Sequence, residues 1–324
     1  MPQLQQVDSL EVDVIVDNVT DGLSSTPSFV ETEWASLGRR GFRIVAGNCL
    51  CCAAHGLSCL LTLRRGGETR RVLFDTGPDE DVFARNVGRL KLDVASIDAI
   101  VLSHGHWDHG GALIKALTLI RQSNGGRRVP VYMHPGMFHT RAMRLPDGSM
   151  RPMADIPSPA TLEEAGAEVV LANEPLSIVG GFVGISGEIP RITSFETGLP
   201  GQFRQTSEGG WEPDPLLLDE RFLAVDVAGK GLMVFSACSH AGVVNVLAHA
   251  RELFAGSALH GVLGGLHLSG TNERVIPQTV AAMEQFGLGV VAAGHCTGWR
   301  AMASLYQAFG ERLAPLAVGK RFSL

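Results

Sequence analysis

The chain has 324 residues, 45% of them apolar and 19% charged, and 27 basic against 33 acidic side chains leave a formal charge of −6. That length can bury a large core, and mild acidity without a long basic run argues against nucleic acid or an anionic membrane surface as the main partner. No apolar run approaches the roughly 20 residues that span a bilayer, and the first residues lack a basic segment followed by an apolar core, so a cytoplasmic protein is expected.

Residues 11–19 (EVDVIVDNV) alternate and carry valine and isoleucine, which reads as a first strand. Residues 20–41 are polar and rich in Gly, Ser and Pro, a loop carrying Phe29 and Trp34. Strands follow at about 42–47, 57–64 and 70–75, with a hairpin turn at Gly66-Gly67 between the last two. Cys49, Cys51, Cys52 and Cys59 cluster around His55. Their spacing lacks a paired C-x-x-C, and free cysteine behaves as a small buried apolar residue. Six cysteines in so long a chain do not make a disulfide scaffold. His55 sits in an HGLS turn entering the strand before Asp75, where it is expected to line the mouth of a site. Asp75 ends its strand, Thr76-Gly77 turns the chain, and a helix is expected over 78–90, which an aspartate there can cap.

The stretch IDAIVLSHGHWDHGG (97–111) organises the rest. A short apolar run reads as a buried strand and ends in His104, His106, Asp108 and His109. Gly110 and Gly111 then allow a tight turn into a helix. Residues two apart on an extended segment point the same way, so His104 and His106 can grip one ion. Asp108 and His109 are neighbours and must diverge, which suits a second ion or the far side of the first. Histidine nitrogen and carboxylate oxygen are the usual ligands of a catalytic zinc.

A strand is expected over 129–135, a long excursion over 136–160, a short helix over 161–165 and a strand over 167–171. A second excursion spans 197–220, and FLAVDVAG with GLMVFSAC forms a hairpin through Gly229 to Gly231. The second hairpin strand exits at Cys238, Ser239 and His240, with a helix from Val243. Strand 259–268 exits at His267, the IPQTVAAMEQFG segment is a helix, and strand 288–296 exits at His295. Three successive histidines at strand exits point to convergence on one sheet edge, with His240 and His295 ranked ahead of His267 as ligands.

HGHWDH resembles the HxHxDH signature of the metallo-β-lactamase-fold superfamily, and Asp75 in RRVLFDTG resembles its earlier Asp-Thr-Gly motif. SGEIPR (186–191), FSACSHAGVVN (235–245), GGLHL (264–268) and GHCTGW (294–299) resemble the branch named after dihydropterin-methyl-aminobenzene phosphate synthases. The resemblance implies an αββα four-layer sandwich, taken as one domain over 1–324 with the two excursions decorating it. It also implies that Asp75 orients a ligand histidine from behind. Two departures stand out: no histidine lies between His139 and His240, where many members place a ligand, and Cys238 with His240 stands where a bridging aspartate is usual.

The expected inventory is therefore His104, His106, Asp108, His109, His240 and His295 as metal ligands, with Asp108 and His109 catalytic. Asp75, His267 and Cys238 support them or add a ligand, and His55, Trp107, Arg191 and Ser239 line the substrate. One or two zinc ions lead, with manganese or iron as alternatives. The leading expectation is a hydrolase of a small organic substrate, in which the ion lowers the pKa of bound water from about 15.7 toward ~7. A pterin-linked synthase, a hydrolytic dehalogenase of an aromatic and a non-catalytic ligand sensor are the alternatives, and a homodimer stays open.

Overall fold

The computed structural model describes residues 3–324. Its first sheet has eight strands in the order Val30–Glu31, Arg321–Ser323, Ser9–Val16, Ser58–Arg65, Glu68–Phe74, Ala99–Val101, Val129–Met133 and Ala167–Leu171. The second has six: Leu176–Ile178, Val183–Ile185, Leu223–Val227, Gly231–Ser236, Leu259–Gly265 and Val290–Gly294. Val12, Leu61 and Phe74 from the first sheet share one buried cluster with Val225, Phe235 and Leu263 from the second. Helices Glu80–Leu90 and Leu113–Ser123 contribute Phe83, Leu113 and Leu117 to a cluster on the outer face of the first sheet. Helices Val243–Leu253, Ile276–Glu284 and Trp299–Phe309 contribute Leu247, Met283 and Leu305 on the outer face of the second. This is the αββα sandwich that the sequence predicts.

Each sheet changes character across its width. Ser58–Arg65 lies antiparallel between Ser9–Val16 and Glu68–Phe74, whereas Glu68–Phe74, Ala99–Val101, Val129–Met133 and Ala167–Leu171 run parallel. In the second sheet Gly231–Ser236, Leu259–Gly265 and Val290–Gly294 form the parallel part. Parallel strands followed by helices open their C-terminal ends to one side, where loops are free to carry chemistry. The strands ahead of Asp75, His104, His240, His267 and His295 all end there.

Four local features differ from the sequence reading. Residues 42–47 form no strand: Ile44 and Val45 are exposed, and Val30–Glu31 already closes that edge of the sheet. The C-terminal strand Arg321–Ser323, which no local pattern announces, slots between Ser9–Val16 and Val30–Glu31. The two excursions are not separate loops. Arg141–Arg144 pairs antiparallel with Gln202–Gln205, and with Met150–Pro152 and Trp211–Pro213 they make a four-stranded sheet beside the site. Asp79, not Asp75, caps the helix that follows, accepting the backbone N–H groups of Asp81 and Val82. Among the described residues no helix is long and apolar enough to cross a membrane.

Candidate metal centre

Asp75 is the hub of the first half of the site. Its Oδ1 accepts the Ser103 backbone N–H at 2.7 Å, and its Oδ2 accepts both the Ser103 hydroxyl and His109 Nδ1 at 2.7 Å. A hydroxyl has one proton to give, and here the carboxylate takes it. The Ser103 oxygen is therefore the acceptor in its 2.9 Å contact with His104 Nδ1. One buried carboxylate thus fixes two tautomers, leaving Nε2 of both His104 and His109 bare. The loop itself is clamped from the second excursion: Asp219 accepts the Gly105 N–H at 2.9 Å and pairs with buried Arg141 at 2.7 Å.

The bare nitrogens converge. His104 Nε2 lies 3.0 Å from His106 Nδ1, and the His240 ring stands edge-on to both. The candidate ligand atoms of these three residues all fall within 4.8 Å of one another. Around Asp108 a second set gathers, with its Oδ2 lying 3.6 Å from His109 Nε2, 3.4 Å from His295 Nε2 and 3.5 Å from His55 Nε2. Asn18 separates these partners. Its Oδ1 faces His295 Nδ1 at 3.0 Å and also accepts the Gly56 N–H, so His295 donates there and keeps Nε2 bare. Its Nδ2 donates to His55 Nδ1 at 3.1 Å, so the His55 proton sits on Nε2, facing Asp108. His295 is ligand-like; His55 is a donor at the rim.

The donors fit a cation. His109 Nε2, His295 Nε2 and both ring nitrogens of His240 are buried with no hydrogen-bond partner. Native interiors rarely leave such atoms orphaned. Electrostatics agree. Burial, reinforced by neighbouring imidazoles, holds His104 and His240 well below the usual histidine range. Burial also pushes His106 down to about 3. Burial would lower His109 too, but the Asp108 and Asp75 carboxylates outweigh it and raise it to about 9. Burial would raise Asp108, yet His109 and His295 depress it.

Strand exits on both sides of the site are under strain. Asp75, Ser239, His267 and His295 all have positive φ, between 43° and 57°, which non-glycine residues adopt rarely. Buried Glu220 accepts the backbone N–H groups of His240 and Ala241 at 2.7 and 2.6 Å. Glu196 accepts those of Val244 and Asn245, capping the helix behind His240. His267 lies 4.3 Å, ring to ring, from His240, and Cys238 Sγ lies 3.3 Å from His267 Nδ1 and 3.0 Å from Cys296 Sγ.

A cavity of about 470 Å³ opens over both sets, lined by His55, Trp107 and Asp108. Met143, Met153, Leu199 and Gln202, from the four-stranded sheet and its approaches, also line it. Two expected lining residues are elsewhere. Arg191 spends its guanidinium on the carbonyls of Ile189 and Leu216, and Ser239 donates to the Gly265 carbonyl behind the site. Glu188 pairs with His134, outside the cavity. The Cys49, Cys51, Cys52 and Cys59 cluster enters none of the metal-capable groups among the described residues; Cys59 is buried between the sheets.

Sequence reasoning missed Asn18, Asp17, Ser103, Glu220 and Cys296. The strand-exit rule, applied to the first strand, reaches Asp17 and Asn18, since that strand runs the same way as Glu68–Phe74. Asp17 accepts the His295 N–H at 2.9 Å. Glu220, seen only as part of a polar loop, carries no such signal.

Residues 70–165 match a beta-lactamase superfamily domain. The chain is 30% identical over 270 residues to the 7,8-dihydropterin-6-methyl-4-(β-D-ribofuranosyl)-aminobenzene-5′-phosphate synthase of Methanocaldococcus jannaschii, covering 82% of this chain and 88% of that one. An uncharacterised protein of the same archaeon is 29% identical over 256 residues, 79% of this chain and 88% of that one. The crystal structure of a metal-dependent hydrolase of the beta-lactamase superfamily superposes with a TM-score of 0.69 at 22% identity, covering 97% of this chain and 98% of that one. The expectation of a hydrolase is corrected by these findings. The hydrolase structure shares the fold at 22% identity, whereas one of the curated proteins that match in sequence, at 30% identity, is a synthase.

Proposed function

Because this chain belongs to the metallo-β-lactamase-fold superfamily, in the branch of the dihydropterin-methyl-aminobenzene phosphate synthase, we propose that it is a metal-dependent synthase joining a dihydropterin-like bicycle to an aromatic amine. The match to the archaeal synthase across most of both chains carries this reading. The cavity supports it: Trp107, Met143 and Met153 offer aromatic and thioether surface to flat rings, directly over the ligand sets.

The metal would be held by His104, His106 and His240 on one side and by Asp108, His109 and His295 on the other. These donors suit zinc, with manganese or iron as the other ions they take. When bound, the cation supplies Lewis acidity toward the leaving group on the methyl carbon. The chain's own residues do the rest. The cavity walls stack donor and acceptor in one orientation, which replaces a bimolecular encounter. As the carbon–nitrogen bond forms and the leaving group departs with its electron pair, the amine proton needs an acceptor. In this reading Asp108 Oδ2, on the cavity wall, takes that proton, and half-exposed His55, 3.5 Å away, links it to solvent.

The test is direct. Zinc-loaded protein is given a 7,8-dihydropterin bearing a diphosphate ester on its 6-methyl carbon, with a 4-ribofuranosyl-aminobenzene 5′-phosphate. Mass spectrometry is expected to find the coupled product, absent with Asp108→Ala. Loaded protein that couples no such donor to any aminobenzene acceptor overturns the reading.

A further inference from the structure

The sulfur of Cys238 lies among the candidate ligand atoms of the site. It lies where the two histidine sets meet: its Sγ falls within 4.8 Å of the candidate ligand atoms of His104 and His109, of His240 and His267, and of His295 and Cys296. A cysteine alone would not make a site. Here His109 Nε2, His295 Nε2 and both nitrogens of His240, all buried and unpartnered, surround it. The fold also makes room for this sulfur and its neighbour. Cys238 and Cys296 follow strands Gly231–Ser236 and Val290–Gly294, with Leu259–Gly265 between them. Their sulfurs meet above Gly265, where an added Cβ would lie 2.7 Å from Cys296 Sγ and 2.5 Å from the Ala237 carbonyl.

The hydrogen bonds give the two thiols different roles. Cys296 Sγ donates to the Cys238 carbonyl at 3.4 Å and accepts the His267 backbone N–H at 3.3 Å, so its proton and one lone pair are engaged with the backbone. Cys238 has only a second sulfur and the His267 ring for partners. We propose that Cys238 is a thiolate ligand shared between the two histidine sets, held in place by Cys296 and His267. On binding, the sulfur–metal bond replaces the S–H bond and the proton leaves to buffer. A soft sulfur ligand added to hard and borderline donors would shift metal preference toward zinc and away from manganese.

This inference rests on the metal reading above, and cobalt distinguishes the two. Reduced protein is loaded anaerobically with Co(II), and its visible ligand-field bands and near-ultraviolet sulfur-to-cobalt charge transfer are recorded. Wild type is expected to show both, Cys238→Ser the visible bands alone, and Cys296→Ser both. Visible bands without charge transfer in wild type overturn the thiolate and spare the metal reading; no cobalt uptake at all overturns both. Charge transfer that survives Cys238→Ser overturns the thiolate as well. Alkylation of wild type is the check that needs no variant. Metal is expected to shield Cys238, and equal labelling of Cys238 with and without metal overturns the assignment.

Discussion

The two halves of the metal centre are assembled by different means. The first is one hexapeptide turn, His104 to His109, governed by a single carboxylate that reaches both His109 and, through Ser103, His104. The second is scattered over three strand exits, each residue positioned by its own local contacts: Glu220 for His240, Asn18 and Asp17 for His295, the thiols for His267. A contiguous motif can share one support. Dispersed ligands need one each, and the left-handed backbone at Ser239, His267 and His295, like that at Asp75, shows that the fold holds these strand exits under strain.

That contrast orders the expected losses. Removing Asp108, which faces His109, His295 and His55 at once, is the most severe change. Asp108→Ala should lower kcat/KM by about 10³-fold, the scale of several kcal/mol of lost charge stabilisation. Next comes the shared support. Asp75→Asn should weaken metal binding on both sides, by roughly 10–100-fold, as measured by competition with a chelating dye. Asn18→Ala touches His295, His55 and the Gly56 N–H but neither His104 nor His109, so it should weaken one of two binding steps by about 10-fold and leave the other unchanged. Equal effects of Asp75→Asn and Asn18→Ala on both steps would erase the distinction drawn between the halves.

Smaller effects sharpen it. Gly265→Ala forces a Cβ against the Ala237 carbonyl and Cys296 Sγ, so thermal unfolding should report a loss of about 1–3 kcal/mol. The last concerns the substrate. Neither Arg191 nor Arg300 lines the cavity; Arg300 is paired with Glu273. An acceptor without its 5′-phosphate should therefore change KM by less than about 10-fold, below the value of a lost charge-assisted hydrogen bond. A larger change would mean that a cationic group reaches the phosphate.

The same contrast explains what could be read from the sequence. Ligands packed into six residues announce themselves, and the αββα order follows from strand and helix periods. His240, His267 and His295 were legible as a group because each ends an apolar run. Asn18 was not, because its role depends on the first strand lying two strands from Glu68–Phe74 in the same direction. The pairing of Arg141–Arg144 with Gln202–Gln205 joins segments some 60 residues apart, and no local pattern encodes such a contact. Arg191 and Ser239 misled because proximity in sequence to a motif does not fix where a side chain points.

Metal stoichiometry is the sharpest test of a two-set centre. Protein equilibrated with zinc, freed of loosely held ion and assayed by mass spectrometry for metal should carry two ions per chain. His240→Ala and His295→Ala should each carry one. Wild-type protein that retains no zinc, or variants that both keep the full wild-type content, would contradict the account.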